Sequence, residues 1–276
     1  HRDSEFHELY RSLIQDVKYV FQTKNDVFIL TSSGTGGIVC AIVNTISPGD
    51  KVVIPVYGVF SQRLKEKVEI FGGITVEVPV EWGKAPTPDD IESVLDREKD
   101  VKMVGVVYNE TSTGVTVKDL AEIGKVAYDH GVLLMVDAIS ILGGDELLVD
   151  EWNIDLCVTG SQKCLACPPG LALISISDEA WKARREGKHS TYYFDLLRYK
   201  DYLEERAETT FTPALPLFFA LKKGLSLIKE EGLERRIRRH RICAEAFYKA
   251  FETLGLELYA DERFRSNTVM AVKVPK

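Results

Sequence analysis

Three segments contain residue types that could bind and transform a phosphorylated ligand, and the first is rich in glycine and hydroxyl groups. Ser32-Ser33-Gly34-Thr35-Gly36-Gly37 follows an apolar run and precedes a helical pattern. Small residues at a helix start let backbone N–H groups approach an anion, hydroxyls add donors, and the helix dipole favours negative charge. The segment matches neither GxGxxG nor a Walker A loop. It indicates a phosphate cradle, although a turn that needs glycine only for its geometry explains it equally well.

A carboxylate and an amine end two other apolar runs. Asp137 closes the run 132–136, and Lys163 ends the segment Val158-Thr159-Gly160-Ser161-Gln162-Lys163, which closes the strand-like run Asp155–Gly160. A buried carboxylate can pair with a cationic ring nitrogen or a metal, or it can simply cap the next helix. A desolvated lysine is a usable nucleophile or base, whereas an ordinary surface lysine is the alternative.

The polar segment Asn109-Glu110-Thr111-Ser112-Thr113-Gly114 could position a polar ligand, or it could be a plain turn. Together, a phosphate cradle, a carboxylate and a lysine are what pyridoxal phosphate requires. The lysine forms a Schiff base with the aldehyde and moves a proton at the α-carbon of an amino acid, and the carboxylate keeps the ring nitrogen protonated. Phe60 could stack on the ring or belong to the core.

The elements that must position these residues alternate along the chain. Short apolar runs predict strands at Val27–Thr31, Lys51–Val56, Thr75–Pro79, Lys102–Tyr108, Val132–Asp137, Asp155–Gly160 and Leu171–Ser175. Helical patterns lie between them at Thr35–Ile46, Phe60–Phe71, Pro88–Asp96 and Val117–His130. Regular succession of strand and helix is typical of an α/β fold with a mostly parallel, doubly wound sheet of about seven strands.

The strand pattern fades after about residue 177. Helices are expected at Ala220–Glu231 and Leu233–Leu254 with a break at Gly232, and Thr268–Val274 resembles a strand. We therefore expect a large domain over residues 1–231 and the beginning of a smaller α+β domain over 232–276. The sequence lacks an initiator methionine and stops just after a strand-like run, so we expect it to be part of a longer chain.

Composition narrows the function classes. With 45% hydrophobic and 28% charged residues, the chain is not disordered, collagen-like or a disulfide scaffold, and no apolar run reaches the ~20 residues of a membrane span. The net charge of −7 argues against a nucleic-acid surface, and we interpret the basic run 235–241 as a solvated helix face. Five cysteines with a single CxxC, Cys164–Cys167, predict reduced thiols in a cytoplasmic protein without a metal.

These residues, together with several longer motifs, make the sequence resemble the class V aminotransferases of pyridoxal-phosphate fold type I. Within that family it resembles the serine–pyruvate and alanine–glyoxylate aminotransferase group. The resemblance runs from His1 to the last strand-like run. It rests most specifically on Tyr19-Val20-Phe21-Gln22-Thr23-Lys24-Asn25, Glu110-Thr111-Ser112-Thr113-Gly114-Val115, the stretch 136–144, and Gly160-Ser161-Gln162-Lys163 followed by Pro168-Pro169-Gly170.

The resemblance implies a role for each matching residue. Lys163 would be the Schiff-base lysine, Asp137 the partner of the pyridine nitrogen, and Phe60 the stacking aromatic that is usually Trp in this group. Further cofactor contacts would be Ser33, Gly34, Thr35 and Gln162 at the phosphate, Thr111 near the phenolic oxygen, Ile139 beneath the ring, and Thr212 at the phosphate of the neighbouring subunit. The family is accordingly expected to be a homodimer with shared active sites.

The sequence also departs from the family pattern. Thr35 stands where animal members have His, and Thr209 stands where a Tyr is usual shortly before the subunit-bridging Thr. The arginine that binds the substrate carboxylate in the family lies in a C-terminal domain that residues 1–276 do not reach.

We expect an aminotransferase that moves an amino group from serine or alanine to glyoxylate or pyruvate by a ping-pong mechanism. Two related alternatives are a cysteine desulfurase, which would carry His where Gln162 and Phe60 stand, and a phosphoserine aminotransferase. A third is a nicotinamide-dependent Rossmann oxidoreductase, for which GxGxxG and an acidic residue after the next strand are absent.

Overall fold

The structure, a computed structural model, describes residues 2–189 and 191–274. The first residue of the expected large domain, His1, and the last residue of the expected small domain, Lys276, lie outside the described residues. The helices and strands follow one another in the order α1 Ser4–Phe21, β1 Asp26–Thr31, α2 Gly34–Thr45, β2 Lys51–Val56, α3 Val59–Ile70, β3 Ile74–Pro79, α4 Pro88–Leu95, β4 Val101–Val107, β5 Asn109–Glu110, β6 Val115–Thr116, α5 Leu120–Asp129, β7 Leu133–Asp137, β8 Leu156–Gly160, β9 Leu171–Ile176, α6 Asp178–Glu186, α7 Leu196–Arg206, α8 Leu215–Glu231 and α9 Leu233–Thr253.

Seven strands form one sheet in the order β1-β9-β8-β7-β4-β2-β3. The pairs β8–β7, β7–β4, β4–β2 and β2–β3 are parallel, and β9 runs antiparallel to both β1 and β8. The predicted mostly parallel sheet of seven strands is thus confirmed. Because β1 and β8 share a direction, the carboxyl ends of six strands lie at one edge of the sheet, namely those of β1, β2, β3, β4, β7 and β8.

Burial explains why the strand runs are apolar without alternation. The central strands bury consecutive residues, as expected when helices cover both faces of a sheet. Helix α2 lies especially close to β8, because a Cβ at Gly37 would come 2.7 Å from Cγ1 of Val158. This close packing fixes the start of α2 above the carboxyl edge of the sheet.

Helices α1, α6 and α7 were not predicted from the sequence. Helix α1 begins at a clear cap, since Oδ1 of Asp3 accepts a hydrogen bond from the Phe6 N–H at 2.9 Å. It packs against α8, where the buried Asp16 carboxylate pairs with Lys222 and Lys229 at 2.6 and 2.7 Å. Within the described ranges, no helix is long and apolar enough to cross a membrane.

The predicted strand at Thr268–Val274 is wrong. This segment forms only one isolated bridge, between Leu258 and Val272. Two backbone hydrogen bonds flank the bridge, from the Tyr259 N–H to the Ala271 carbonyl at 2.9 Å and from the Lys273 N–H to the Glu257 carbonyl at 2.8 Å, and the segment joins neither sheet. Gly232, with φ of +83°, separates α8 from α9 as expected. The division into two domains at this point stays a prediction.

Candidate functional site

A cavity of about 190 Å³ opens at the carboxyl edge of the sheet. Nine of the ten residues predicted for the site line it, namely Ser33, Gly34, Thr35, Phe60, Thr111, Asp137, Ile139, Gln162 and Lys163. Residues outside that prediction also line it, namely Ile38, Arg63, Lys67, Val107, Ser140 and Asn109, the last of which belongs to the polar segment 109–114. The strand ends therefore bring residues separated by up to 130 positions to one place.

The glycine-rich segment forms the start of α2 on one side of the cavity. Ser33 is the N-cap, and its Oγ accepts a hydrogen bond from the Gly36 N–H at 3.4 Å. The first N–H groups of a helix have no partner within it, so those of Gly34 and Thr35 are available to an anion. Gly34 packs closely against Ile139, because a Cβ at this position would come 2.8 Å from Cδ1 of that side chain and would displace it.

Asp137 ends β7 at the floor of the cavity. Its Oδ1 accepts a hydrogen bond from the Ile139 N–H at 3.0 Å, and no described group donates to Oδ2. Burial raises the pKa of this carboxyl to about 6, against the opposing effects of the Ile139 N–H and the Lys67 charge. A cation placed beside Oδ2 would favour the ionised form.

Lys163 follows β8 in a turn that is held firmly at its base. The buried Ser161 donates from Oγ to the Pro168 carbonyl at 2.7 Å, and its own carbonyl accepts from the Cys167 N–H at 2.9 Å. The Lys163 side chain lines the same cavity as Asp137, and its amine has no hydrogen-bond partner within residues 2–189 and 191–274. The lysine is thus positioned by its backbone and free at its tip.

Helix α3 presents three side chains to the cavity at helical spacing, Phe60, Arg63 and Lys67. The Arg63 guanidinium lies 5.3 Å from the centre of the Phe60 ring, and Nζ of Lys67 donates to the Arg63 carbonyl at 3.0 Å. Burial lowers the pKa of Lys67, although the negative charge of Asp137 opposes the shift. The cavity therefore contains three cationic side chains and one carboxylate among its lining residues.

The start of α3 is fixed by the loop between β5 and β6. The fully buried Glu110 accepts hydrogen bonds from the Ser61 N–H at 2.8 Å and from the Ser112 hydroxyl at 2.5 Å. That hydroxyl in turn accepts from the Val59 N–H at 2.9 Å. A Cβ at Gly58 would come 2.3 Å from Cγ of Glu110, so only glycine fits beside the carboxylate.

A buried polar network forms another wall of the cavity. Asn109 donates from Nδ2 to Ser140 at 2.8 Å and to Thr268 at 3.1 Å, and its Oδ1 accepts from Thr116 and Ser266 at 2.7 and 2.6 Å. All four hydrogen-bonding positions of this amide are occupied. The network makes the wall rigid and ties the segment around residue 268 to the site.

Thr212, the tenth predicted residue, does not line this cavity. It is exposed and lies in a shallow depression beside Thr31, Tyr193 and Phe211. Oγ1 of Thr209 donates to the Phe211 carbonyl at 2.8 Å and so has a structural partner. Within one chain the structure does not bring Thr212 to the other nine residues.

The residues present fit pyridoxal phosphate. The start of α2 offers N–H groups and hydroxyls to a phosphate, Asp137 offers a carboxylate oxygen with no described partner to a ring nitrogen, and Lys163 offers an amine to an aldehyde. Gly34 lets the first turn of α2 lie against Ile139 at the cavity wall, because a Cβ there would crowd that side chain. Among the described residues, no group of three or more His, Cys, Asp or Glu side chains is placed to hold a metal ion.

Comparison with known proteins agrees with this chemistry. The profile of the family described as aminotransferase class V matches residues 1–276. An uncharacterised aminotransferase of Methanocaldococcus jannaschii is 44% identical over 277 residues, which are 100% of this chain and 72% of that protein. A serine–glyoxylate aminotransferase of Methylorubrum extorquens is 36% identical over 289 residues, 100% of this chain and 71% of that protein.

The same similarity holds in three dimensions. The crystal structure of an alanine–glyoxylate aminotransferase from Nostoc superposes with a TM-score of 0.95 at 29% sequence identity, covering 100% of this chain and 74% of that one. The fold is therefore that of the type I pyridoxal-phosphate enzymes.

Proposed function

The chain belongs to the class V aminotransferase family, and we propose that it moves an amino group from serine or alanine to glyoxylate or pyruvate with pyridoxal phosphate held at the cavity of Lys163. One observation carries the proposal. Lys163 and Asp137 line one cavity, and neither the lysine amine nor Oδ2 of the aspartate has another partner in the described chain. The family assignment excludes the nicotinamide-dependent alternative.

Each residue would have a distinct task. When bound, pyridoxal phosphate supplies an aldehyde that condenses with amines and a ring that withdraws electrons from the substrate α-carbon. Nζ of Lys163 would anchor the cofactor and then accept and return the α-proton. Oδ2 of Asp137 would keep a proton on the ring nitrogen, and Phe60 would cover one face of the ring.

The remaining predicted residues would hold the phosphate and orient the ring. The N–H groups of Gly34 and Thr35 and the hydroxyl of Ser33 lie at the positive end of α2, which favours a dianion. Gln162 and Thr111 have side chains without hydrogen-bond partners in the described ranges, so both are available to the cofactor. Ile139 would contact the opposite face of the ring.

The reaction would proceed in two halves on these residues. The donor amino acid leaves as a 2-oxo acid after giving up its amino group, and the acceptor 2-oxo acid then takes that group and leaves as an amino acid. Lys163 moves the α-proton in both directions. This order predicts ping-pong kinetics.

The decisive experiment removes the amine. Lys163→Ala is expected to bind no cofactor covalently, so the visible absorbance band that borohydride bleaches should be absent, and turnover should fall about 10³-fold or more. Lys125→Ala, an exposed lysine on α5, is the matched control. Near-normal turnover in folded Lys163→Ala protein would refute the assignment.

A cysteine desulfurase remains the competing function within the family. L-serine, L-alanine and L-cysteine should be compared as donors, with 2-oxo acid and sulfide measured separately. Release of sulfide without a 2-oxo acid product would favour the desulfurase. A phosphoserine aminotransferase would instead require O-phosphoserine as donor.

We also propose that the protein is a cytoplasmic homodimer with shared active sites. Its cysteines are reduced thiols in the structure, which is compatible with a reducing compartment. The exposed position of Thr212, away from the cavity of its own chain, is what a residue that serves a neighbouring subunit requires.

A further inference from the structure

Helix α3 places a second lysine, Lys67, at the cavity that contains Lys163 and Asp137. Its side chain points toward the amino end of the helix, because its Nζ donates to the Arg63 carbonyl one turn earlier at 3.0 Å. Helix α3 follows β2 directly, so its amino end lies at the carboxyl edge of the sheet, where Asp137 ends β7. The cofactor contacts proposed above leave this lysine without a task.

The packing of α3 on the sheet fixes where Lys67 lies. Leu64, in the turn before it, is buried, and a Cβ at Gly105 of β4 would come 3.3 Å from Cδ2 of this leucine. Strand β4 pairs with β7, and Val107 lies opposite Asp137 in that pair. The helix therefore covers the strand next to Asp137, and Lys67 on it is half-buried.

Three cationic side chains line the cavity, and two of them are poorly suited to balance the charge of Asp137. Lys163 must be neutral to attack an aldehyde, so its charge is lost in the proposed reaction. The Arg63 guanidinium is exposed and lies over the Phe60 ring. Burial raises the pKa of Asp137 to about 6, and the Lys67 ammonium opposes that rise more strongly than the Lys163 amine does.

The other groups that face Asp137 do not replace this charge. Tyr57, just after β2, and Cys157 on β8 are fully buried, and burial raises the pKa of each side chain. Glu110 on β5 is also fully buried, and its negative charge disfavours the ionised form of Asp137. Only the Ile139 N–H, at 3.0 Å from Oδ1, assists the cations. Ionisation of this carboxyl therefore depends on a nearby positive charge.

We propose that Lys67 is a positioning residue that keeps the Asp137 carboxylate ionised in the cofactor-free protein, ready for the protonated ring nitrogen of pyridoxal phosphate. This inference rests on the proposed function, since it assigns Asp137 to the ring nitrogen. Lys67 acts through Asp137 and not on the substrate. An ionised carboxylate can accept the N–H of the ring directly, whereas a protonated carboxyl must first lose its proton.

Titration of a single carboxyl tests the proposal. The cofactor-free protein is labelled with carbon-13 at the side-chain carboxyl of aspartate, and NMR spectra are recorded between about pH 4 and pH 9. The signal of Asp137 is the one that Asp137→Asn lacks, and its midpoint in the unmodified protein should lie near pH 6. In Lys67→Met the proton affinity of this carboxyl should rise about tenfold, which moves the midpoint to higher pH, because a nearby opposite charge has been removed.

Further variants separate the charge of Lys67 from its packing. Lys67→Arg keeps a positive charge and should keep the midpoint of the unmodified protein. Lys65→Met, on the same helix, removes an amine that pairs with Glu77 at 2.7 Å outside the cavity, and it should also leave the midpoint unchanged. Lys67→Gln should raise the midpoint as the methionine variant does, and it decides the matter if that variant does not fold.

Two outcomes overturn the role of Lys67. One is a proton affinity of Asp137 in the folded Lys67→Met or Lys67→Gln protein that stays within about twofold of the unmodified value. The other is an equal rise in Lys65→Met, which would make the effect one of overall charge and not of the cavity.

The two proposals fail in different ways. Cofactor uptake at Lys163 is measured on the unmodified protein by the absorbance band that borohydride bleaches, and its absence refutes the aminotransferase proposal. The titration of Asp137 is carried out without cofactor, so equal midpoints in Lys67→Met and the unmodified protein refute only the role of Lys67.

Discussion

At the scale of single residues, the environment of Asp137 sets the chemistry of the site. A carboxyl whose pKa is near 6 is costly to keep ionised without a cation beside it. Lys67 supplies part of that charge, and a protonated ring nitrogen at Oδ2 would supply the rest. In the cofactor-free protein the ionised Asp137 carboxylate is therefore destabilised by burial, and a bound cation at Oδ2 would stabilise it.

Asp137→Asn should stabilise the cofactor-free protein in a pH-dependent way. The pKa rises from 3.8 in the unfolded chain to about 6 in the folded one, so the folded state binds the proton more tightly and loses stability as the pH rises from 4 to 7. The variant lacks this loss and should gain about 2 kcal/mol relative to the unmodified protein over that interval. Urea unfolding at several pH values measures it.

The control for this prediction is Asp129→Asn, which alters an exposed carboxylate at the end of α5. It should show no such trend. A stability difference between Asp137→Asn and the unmodified protein that does not change between pH 4 and pH 7 would contradict the raised pKa.

At the scale of elements, α3 is the part of the site that depends most on a residue outside the cavity. Phe60, Arg63 and Lys67 all lie on this helix, and Glu110 fixes its first turn through the Ser61 N–H. A negative charge at a helix start also interacts favourably with the helix dipole. Glu110 is thus a positioning residue for the side chains that α3 presents to the cavity.

Glu110→Gln should lower both the free energy of unfolding and the affinity for pyridoxal phosphate. An amide can accept one of these hydrogen bonds but places an N–H donor against another, so about 1–3 kcal/mol of unfolding free energy should be lost. The dissociation constant for pyridoxal phosphate should rise because Phe60 shifts with the start of α3. Unfolding curves and fluorescence titrations provide the two readouts.

Glu66→Gln, on the exposed side of the same helix, is the matched variant. Its stability and cofactor affinity should remain normal. If the two variants behave alike, Glu110 does not position α3.

Elements also show how far the sequence could predict this fold. Each strand of the sheet was predicted to within two residues, because burial on both faces leaves an apolar run that tertiary context does not override. Helix α1 was missed although Asp3 is a cap and Phe6, Tyr10, Leu13 and Val17 recur at helical spacing. The cap and the apolar spacing are therefore both visible in the sequence.

The residues that line the cavity also divide into those that the sequence could place at the site and those that it could not. Residues directly after a strand, such as Asp137 and Lys163, could be placed because parallel strands end at one edge. Arg63 and Lys67 could not, since the rotation of a helix about its axis depends on its packing and on the Glu110 contact. The strand predicted at Thr268–Val274 failed because a short apolar run does not reveal whether a partner strand is present.

At the scale of the whole molecule, nearly all of the predicted site residues lie at one edge of the sheet. Six strands end there, and the residues at or just after these ends supply the glycine-rich start of α2, the Asp137 carboxylate, Lys163 and the polar wall. The single exception among the predicted residues is Thr212, which lies in the exposed depression beside Tyr193. Its position gives a direct test of the proposed dimer.

Thr212→Ala should weaken the binding of pyridoxal phosphate but not that of pyridoxal, which has no phosphate. A hydrogen bond to a charged group contributes about 1.5–3 kcal/mol, so the loss should be about tenfold or more in the dissociation constant. Thr253→Ala, an exposed threonine on α9, should leave both affinities unchanged. Light scattering should give the mass of two chains. A monomer, or equal weakening of both ligands, would show that Thr212 does not reach a neighbouring phosphate.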